Sequence, residues 1–337
     1  MKLKAKFMDF EAGMPVVVMN IHDAKDLGVY VNDRVTLSYK KTKKTAYIET
    51  TKHLVKIGEV GIRKESVKYG IKKGTLIEVL PSERPASAEI IRKKLKGHEL
   101  KKAEIETLVS EIDTNRLSDI ELGAFVSSVY IRKLSQKEIL YLTRAMISCG
   151  NCLKWGNSIV ADKHSIGGVP GNRVTPIVVA IVAACGVLMP KTSSRAITSP
   201  AGTADTMEVF CDVSFSSKDV KRIVKKVGAC IVWGGSLDLA PVDDKLIRIE
   251  HPLSIDPEGQ VLASVMSKKK SVGSKYLVLD IPYGDGSKEG DIAMAEELAK
   301  KFKWLARQLD MKAECTISRG DQPIGKGIGP VPEAIDI

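Results

Sequence analysis

The chain has 337 residues, of which 44% are hydrophobic and 28% are charged, and its formal net charge is +11. This composition excludes a disordered, collagen-like or low-complexity chain, and the length allows two or three domains of about 150 residues. No apolar run reaches the roughly 18 residues of a membrane-spanning helix, and the N-terminal residues lack the apolar stretch of a signal peptide. We therefore expect a cytoplasmic protein, and six cysteines in this length do not indicate a disulfide framework.

Residues 1–84 are predicted to form a small, mostly β domain, because Gly, Asp and Asn separate short segments rich in β-branched and aliphatic residues. These segments are 16–19, 34–39, 46–50 and 75–80. Residues 1–80 hold 16 Lys and Arg against 9 Asp and Glu, with a peak at 40–44. Because no aromatic residues interleave with that run, it indicates a solvent-exposed hairpin tip; RNA binding is the alternative.

Residues 85–155 are predicted to form a helical lobe, after a proline-containing linker at 81–87. The apolar periodicity indicates helices over 88–95, 103–112, 118–132 and 135–147. Ser118 and Ser135 each stand three residues before a Glu, which is the capping-box pattern of a helix start. Part of 242–273 is expected to join this lobe.

The remaining chain, 156–240 and 274–337, alternates strand and helix patterns, which predicts an α/β lobe. The predicted strands are 158–161, 229–233, 275–281 and 313–318, and the predicted helices are 174–185, 218–227 and 293–309. The helix at 174–185 is almost continuously apolar, so we expect it to be buried on most sides.

The segment 162–173 combines Lys163 and Ser165 with three glycines, between a predicted strand and a predicted helix. Glycines let the backbone approach a ligand closely, and a helix N-terminus favours an anion. The segment therefore indicates a phosphate-binding loop, with a simple tight turn as the alternative. His164 would hydrogen-bond either a ligand or the backbone.

The segment 191–203 carries six hydroxyl side chains, one Lys and one Arg, again between a strand and a helix. Oxyanions need several directed donors, so this density favours recognition of phosphate and ribose; a solvated Ser/Thr loop is the alternative. Since open α/β sheets bind ligands outside the carboxyl ends of their strands, the two segments are expected to face one site.

Asp256 lies between prolines and apolar residues at the start of a predicted helix. Such surroundings raise the pKa of a carboxyl group and suit it to donate a proton; the alternative is a helix N-cap. Ser264 and Lys268 lie four residues apart, on one face of that helix. We expect no metal site, and 320–326 is not an ATP-binding loop because Gly327 replaces the hydroxyl that would hold magnesium.

Five segments together resemble the thymidine/pyrimidine-nucleoside phosphorylase family. They are 162–169, 191–199, 201–208, 254–258 and 267–269. Within that family the chain is most similar to the archaeal branch that acts on AMP, whose additional N-terminal domain residues 1–84 would supply. The resemblance implies a two-lobed, nucleoside-phosphorylase-type architecture of a helical lobe and an α/β lobe, beside a small β domain.

The resemblance implies phosphorolysis of nucleoside 5′-monophosphates, in which AMP and phosphate give adenine and ribose 1,5-bisphosphate, with CMP and UMP as other substrates. The nucleotide-binding positions would be Gly168, Ser194, Arg195, Ala196, Ile197, Thr198, Ser199, Thr203, Ser264 and Lys288. Asp256 would be the proton donor. Lys163, Ser165 and Thr203, with Ser193 or Ser194, would bind orthophosphate, and Lys268 would lie beside the base.

The family implies no cofactor, since orthophosphate is a co-substrate, and it implies a homo-oligomer without membrane or specific nucleic-acid partners. Its members carry a further C-terminal α+β region, so we expect the α/β lobe to be incomplete in this chain. A pyrimidine-nucleoside phosphorylase and an inactive nucleotide-binding fragment are the alternatives. The enzyme hypothesis would fail if Lys163, Thr198 and Asp256 lay on unconnected surfaces with no shared cavity.

Overall fold

The computed structural model describes residues 1–10, 12–64, 70–167, 173–196 and 201–337. The chain divides into two compact units, one made of residues 1–88 with 111–118 and the other of 89–110 with 119–337. Within the described ranges, no helix has both the length and the apolar character needed to span a membrane.

The first unit contains a closed six-stranded barrel with the strand order β1-β5-β2-β4-β3-β6. The strands are β1 (Lys2–Met8), β2 (Val16–Asn20), β3 (Arg34–Tyr39), β4 (Thr42–Thr51), β5 (Glu59–Arg63) and β6 (Leu76–Pro81), and helix α1 (Ile21–Leu27) follows β2. The sequence analysis missed β1, α1 and β5. In β1, lysines alternate with Leu3 and Ala5, which point into the core, so the strand has a period of two despite its charge.

The lysine-rich run 40–44 forms the turn between β3 and β4 and the first residues of β4, which is the predicted hairpin tip. Lys40 has a left-handed backbone with φ 51°, and Lys40, Lys41, Lys43 and Lys44 are exposed. The mostly β character of this unit is confirmed as well, since its core is built from the inward-facing residues of the barrel strands.

Four helices follow the barrel, close to the predicted positions. They are α2 (Ser87–Leu95), α3 (Lys102–Asp113), α4 (Asp119–Arg132) and α5 (Gln136–Cys149). The predicted capping box at Ser135 is present, because its hydroxyl accepts from the Glu138 amide and the Glu138 carboxylate accepts from the Ser135 amide. This exchange satisfies two amides that have no partner within the helix.

The rest of the second unit alternates strands and helices. Its elements are β7 (Ala161–Ser165), α6 (Val174–Ala184), β8 (Met189–Ser193), α7 (Thr203–Glu208), α8 (Ser217–Val227), β9 (Ala229–Trp233), α9 (Pro241–Leu253), α10 (Glu258–Ser271), β10 (Tyr276–Tyr283), α11 (Ile292–Gln308), β11 (Lys312–Arg319) and α12 (Pro330–Asp336). Strands β11, β10 and β7 form one parallel sheet, and β8 pairs with β9 in parallel. Helices α9 and α10 pack on α4 and α5, so they belong with the helices.

Strand β7 lies three residues later than predicted. It spans 161–165 instead of 158–161, so Lys163 and Ser165 lie in a strand and not in a loop. The polar residues Asp162 and Lys163 disfavour a strand locally. They are tolerated there because each is paired with a side chain of opposite charge that comes from elsewhere in the fold.

The expectation that the apolar helix α6 is buried on most sides is wrong. Only Thr175 and Val179 are buried, whereas Ile177 is 47% exposed and Ile181 is 58% exposed. One face of α6 packs on β8 and β9. Hydropathy predicts that the apolar faces of a helix are buried, but it does not specify which elements pack on them.

Candidate active site

Strand β7 places Lys163 and Ser165 on the same face of the sheet, where both contact Asp280 of β10. Asp280 lies opposite Ser165 in the register of the two strands. Its carboxylate accepts from the Ser165 hydroxyl at 3.0 Å and lies 3.3 Å from the Lys163 ammonium. These three side chains line a cavity of about 430 Å³ together with Val178 of α6. The arrangement presents an ammonium and a hydroxyl to a ligand at the sheet.

The neighbouring residues of β7 belong to a second group of charges. The Lys269 ammonium of α10 binds the buried Asp162 carboxylate at 2.8 Å. Lys191 of β8 is 4% exposed, and its ammonium donates to the Thr192 carbonyl. Burial and the positive charge of Lys269 lower the pKa of Lys191 to about 7.

His164 is neutral in this environment. Burial and the positive charges of nearby lysines lower its pKa well below the ordinary value, and these lysines are Lys269, Lys191, Lys163 and Lys268. Three of these lysines are paired with carboxylates, Lys163 with Asp280, Lys269 with Asp162 and Lys268 with Asp243. This side of the α/β lobe therefore offers ammonium donors to an oxyanion within a network of ion pairs.

The loop between β8 and α7 is organised by Asp205. Its carboxylate accepts from the amides of Ala196 and Gly202, at 2.7 and 2.9 Å, and also binds Arg195. A Cβ atom at Gly202 would collide with the backbone of the Ser194–Ala196 segment, so only glycine fits this close approach. The described part of the loop is thus folded back on the start of α7.

The side chain of Arg195 stabilises this loop. It forms ion pairs with Asp205 and Glu208, and its guanidinium lies 5.1 Å from the centre of the Trp233 ring. A guanidinium that already holds two carboxylates has little capacity left for a phosphate. Arg195 therefore shapes the segment in this structure, whereas Ser194 is exposed beside it.

Four of the sequence-predicted positions, Gly168, Ile197, Thr198 and Ser199, lie outside the described residues. Thr203 is the first residue of α7, and Ala196 is exposed in the loop before it.

Asp256 occupies neither of the two environments that its sequence suggested. Pro257 is the cap residue of α10, so Asp256 is not the N-cap. The side chain is 48% exposed and its carboxylate binds the Lys288 ammonium at 2.6 Å, so apolar residues do not enclose it. The partner of Asp256 comes from 32 residues away along the chain, so local sequence does not predict this ion pair.

Lys288 connects Asp256 to the glycine-containing segment. Its backbone amide donates to the Gly167 carbonyl at 3.2 Å, and a Cβ atom at Gly167 would lie 3.6–3.7 Å from the Lys288 side-chain stem. Its ammonium ends on Asp256. One side chain therefore runs from the end of β7 to the start of α10.

Ser264 and Lys268, both on α10, converge on Asp243 of α9. The Asp243 carboxylate accepts from the Ser264 hydroxyl at 2.8 Å and lies 2.6 Å from the Lys268 ammonium. Burial opposes the charge of Lys268, but the carboxylates of Asp243 and Asp244 outweigh it and raise the pKa of Lys268. Asp243 is fully buried, and so it fixes the positions of both partners.

Glu250 is a further acidic residue of α9 that the sequence analysis missed. It is 9% exposed, and its Oε1 atom is buried without a hydrogen-bond partner in the described part of the chain. Burial and the negative charges of Asp243 and Asp256 raise the pKa of Glu250 to about 8. Asp243 and Glu250 lie seven positions apart, which is about two helical turns, so the signal in the sequence was a repeated acidic position on one helix face.

The structure brings the predicted residues together in separate groups and not in one cavity. Lys163 and Ser165 line the cavity beside α6, whereas Asp256 lines another of about 320 Å³ with Trp304 and Leu262. Lys288 links the two regions through Gly167 and Asp256. Lys163 and Asp256 therefore line different cavities, contrary to the expectation, and Lys288 connects the two regions. Thr198 lies outside the described residues.

Two family models match this chain. Residues 88–150 match the helical bundle domain of a glycosyl transferase family, and residues 157–246 match the a/b domain of a glycosyl transferase family. These matches agree with the helical and α/β parts of the second unit.

Curated relatives match nearly the whole chain. An AMP phosphorylase of Natronomonas pharaonis is 49% identical, and the match covers 100% of this chain and 67% of the relative. AMP phosphorylase 1 of Archaeoglobus fulgidus is 46% identical, covering 99% of this chain and 66% of the relative. An AMP phosphorylase of Methanococcus vannielii is 44% identical, covering 98% and 66%. The chain thus spans about two thirds of the length of these relatives.

A solved structure shares the fold. The anthranilate phosphoribosyltransferase TrpD from Thermus thermophilus superposes with a TM-score of 0.60, covering 73% of this chain and 80% of that chain. Its sequence is 16% identical, so this likeness concerns the fold alone. The predicted two-lobed α/β architecture with a helical lobe is confirmed.

Proposed function

Because the chain belongs to the AMP phosphorylase family of glycosyl transferases, we propose that it catalyses the phosphorolysis of nucleoside 5′-monophosphates. AMP and orthophosphate would give adenine and ribose 1,5-bisphosphate, with CMP and UMP as further substrates. The observation that supports this most is the Lys288 bridge, which joins the segment beginning at Lys163 to Asp256. Phosphorolysis needs an anion site and a proton donor on either side of one sugar.

In this proposal, orthophosphate binds to Lys163, Ser165 and Thr203. A lysine and hydroxyl donors hold the oxyanion by charge and by directed hydrogen bonds. Asp280 binds both Lys163 and Ser165, so both donors are in place before the ligand arrives.

The nucleotide would lie between the two lobes. Lys288 and the Ser194 loop suit the 5′-phosphate, and Ser264 and Lys268, held by Asp243, suit the base. Cleavage of the C1′–N bond builds positive charge on the ribose, as glycoside cleavage does. The bound phosphate attacks C1′, and the base takes a proton from Asp256 as it departs.

The reaction needs no cofactor in this scheme, because orthophosphate is the second substrate. We further propose that the protein acts in the cytoplasm and assembles as a homo-oligomer, as the sequence analysis predicts.

The test is phosphate-dependent release of adenine from AMP. Wild-type protein should release adenine only when phosphate is present, and D256N should lower kcat by about 100-fold or more, the usual contribution of a general acid. D219N is the matched control, because Asp219 is also an exposed aspartate in an ion pair, on α8.

No adenine release by the wild type would refute the proposed function and favour an inactive nucleotide-binding fragment. D256N with the wild-type rate would remove Asp256 from the mechanism. Faster phosphorolysis of thymidine than of AMP would make the chain a pyrimidine-nucleoside phosphorylase instead.

A further inference from the structure

A buried ion pair joins helix α10 to strand β7. The Lys269 ammonium of α10 donates to the Asp162 carboxylate of β7 at 2.8 Å, and the two side chains are 3% and 0% exposed. The partners lie 107 residues apart in the chain. A buried ion pair often stabilises a fold no better than apolar residues of similar volume do. The position of this pair, between the helix and the sheet, therefore needs an explanation other than stability.

Each partner is adjacent in the chain to a candidate site residue. Asp162 precedes Lys163, which is proposed to bind phosphate and lines the cavity of about 430 Å³. Lys269 follows Lys268, which is proposed to lie beside the base and whose ammonium is 2.6 Å from Asp243. The ion pair therefore connects the two candidate binding regions through one peptide unit on each side.

In the sheet, Asp162 holds the backbone of Lys163. Its Oδ1 atom accepts from the Lys163 amide at 2.7 Å, while its Oδ2 atom accepts from the Lys269 ammonium at 2.8 Å. Both carboxylate oxygens are thus engaged, one by the strand and one by the helix. The amide nitrogen and the side chain of Lys163 are attached to the same Cα atom, so a displacement of this hydrogen bond also moves the ammonium.

Behind the ion pair, the chain that follows α10 is bonded to the chain that precedes β7. The Val272 carbonyl accepts from Trp155 Nε1 at 2.7 Å, and the Lys275 amide donates to the Val160 carbonyl at 3.0 Å. Lys269 adds a contact from the helix itself to the strand itself. The face of α10 proposed to meet the base and the lysine proposed to bind phosphate therefore cannot shift relative to each other without disturbing a buried ion pair.

We propose that Asp162 and Lys269 are positioning residues that set the distance between the bound phosphate and the ribose of the bound nucleotide. The inference rests on the proposed function, in which a phosphate oxygen attacks C1′ while α10 holds the base. A misplacement of about 1 Å between reacting groups can lower a rate by about 100-fold. Neither residue touches a substrate in this scheme, so the pair acts through Lys163 and Lys268. Its loss lowers kcat while each ligand still binds.

The first experiment measures kcat and the binding of each substrate in D162N/K269M. The double substitution removes both charges, so it avoids the isolated buried charge that either single substitution would leave. We expect kcat for AMP to fall by about 100-fold. The Kd of orthophosphate and the Kd of AMP, each measured by calorimetry without the other substrate, should stay within about threefold of the wild type.

K94M/E138Q is the matched control. Lys94 and Glu138 also form a buried ion pair at 2.8 Å, with side chains 4% and 1% exposed, and Glu138 likewise accepts from a backbone amide, that of Leu100. This pair joins α2 to α5, and neither residue is a proposed ligand-binding residue. The control should change the Tm by a similar amount and keep the wild-type kcat.

D162E tests the geometry without removing a charge. A glutamate carboxylate is one methylene farther from the backbone, so it cannot accept from the Lys163 amide and the Lys269 ammonium in their present positions. We expect D162E to lower kcat by about tenfold or more, and we expect the Lys163 amide to exchange its hydrogen faster than in the wild type. Since both charges are kept, this test applies even where the double variant does not fold.

Three results would overturn the proposal. One is a wild-type kcat in D162N/K269M or in D162E. Another is a loss of phosphate or AMP affinity as large as the loss of kcat, because the pair would then act on one binding site and not on the distance between two. The third is hydrogen exchange at Lys163 that D162E leaves unchanged. A wild-type protein that releases no adenine refutes the proposed function instead, while hydrogen exchange still tests whether the ion pair holds Lys163.

Discussion

Asp243 positions two candidate site residues at once. Its fully buried carboxylate binds the Ser264 hydroxyl and the Lys268 ammonium, and one of its oxygens, Oδ1, has no hydrogen-bond partner among the described residues. Both partners lie on one face of α10, one turn apart, so a single carboxylate can orient the face that would meet the base.

We predict that D243N weakens nucleotide binding more than catalysis. The substitution removes the charge that orients Lys268, and a hydrogen bond to a charged group contributes about 1.5–3 kcal/mol. The KM for AMP should rise roughly tenfold with a smaller change in kcat, measured by steady-state kinetics. D244N is the control, because Asp244 is 45% exposed and lies 3.6 Å from Lys268. Equal effects of the two substitutions would contradict this role of Asp243.

The loop before α7 depends on the absence of a side chain at Gly202. Asp205 draws the amides of Ala196 and Gly202 together, and Gly202 leaves no room for a side chain against the Ser194–Ala196 backbone. The described residues on either side of this loop are therefore held close to the start of α7, and Arg195 contributes through its ion pair with Asp205.

We predict that G202A disrupts this loop. The added Cβ would collide with backbone atoms, which cannot move as a flexible side chain can. The KM for phosphate should rise by about tenfold or more, and thermal unfolding should show a lower Tm. G290A is the control, since no atom lies within 4 Å of a Cβ there. If G202A binds phosphate as the wild type does, the loop does not form part of the anion site.

At the scale of the whole molecule, two buried groups with shifted pKa values make stability depend on pH in opposite directions. The pKa of Glu250 is raised from 4.5 to about 8, so the folded state binds more protons than the unfolded state between these values. Its contribution to stability is complete below about pH 4.5 and is lost as the pH rises through 8. The pKa of Lys191 is lowered from 10.5 to about 7. Its contribution is complete above about pH 10.5 and is lost as the pH falls to 7.

We predict that these two groups together place a minimum of the free energy of unfolding between about pH 7 and 8. Each contributes a slope of at most about 1.4 kcal/mol per pH unit within its window. Urea unfolding of E250Q should lack the decrease between pH 5 and 8, and K191M should lack the increase between pH 7 and 10. A wild-type slope retained in both variants would assign the pH dependence to other groups.

The chain sequence was sufficient for features that contiguous residues carry. Strand β9 spans the predicted residues 229–233, and Ser135 forms its predicted capping box, because side-chain periodicity and helix caps act over a few residues. The motifs at 162–169 and 191–199 likewise led to the family, since residue type and spacing are local properties. The roles of individual site residues stay predictions.

Only the tertiary structure decided the environment of each group. Asp280 binds Lys163 and Ser165 across 115–117 residues of chain, Lys288 reaches Asp256, and Asp243 meets Lys268 from another helix. The same packing leaves α6 partly exposed and encloses Glu250. Burial and charge pairing depend on which distant elements touch, and a pKa follows from both. The sequence therefore determined the type of chemistry that the chain carries, and the packing determined which carboxyl group keeps its proton.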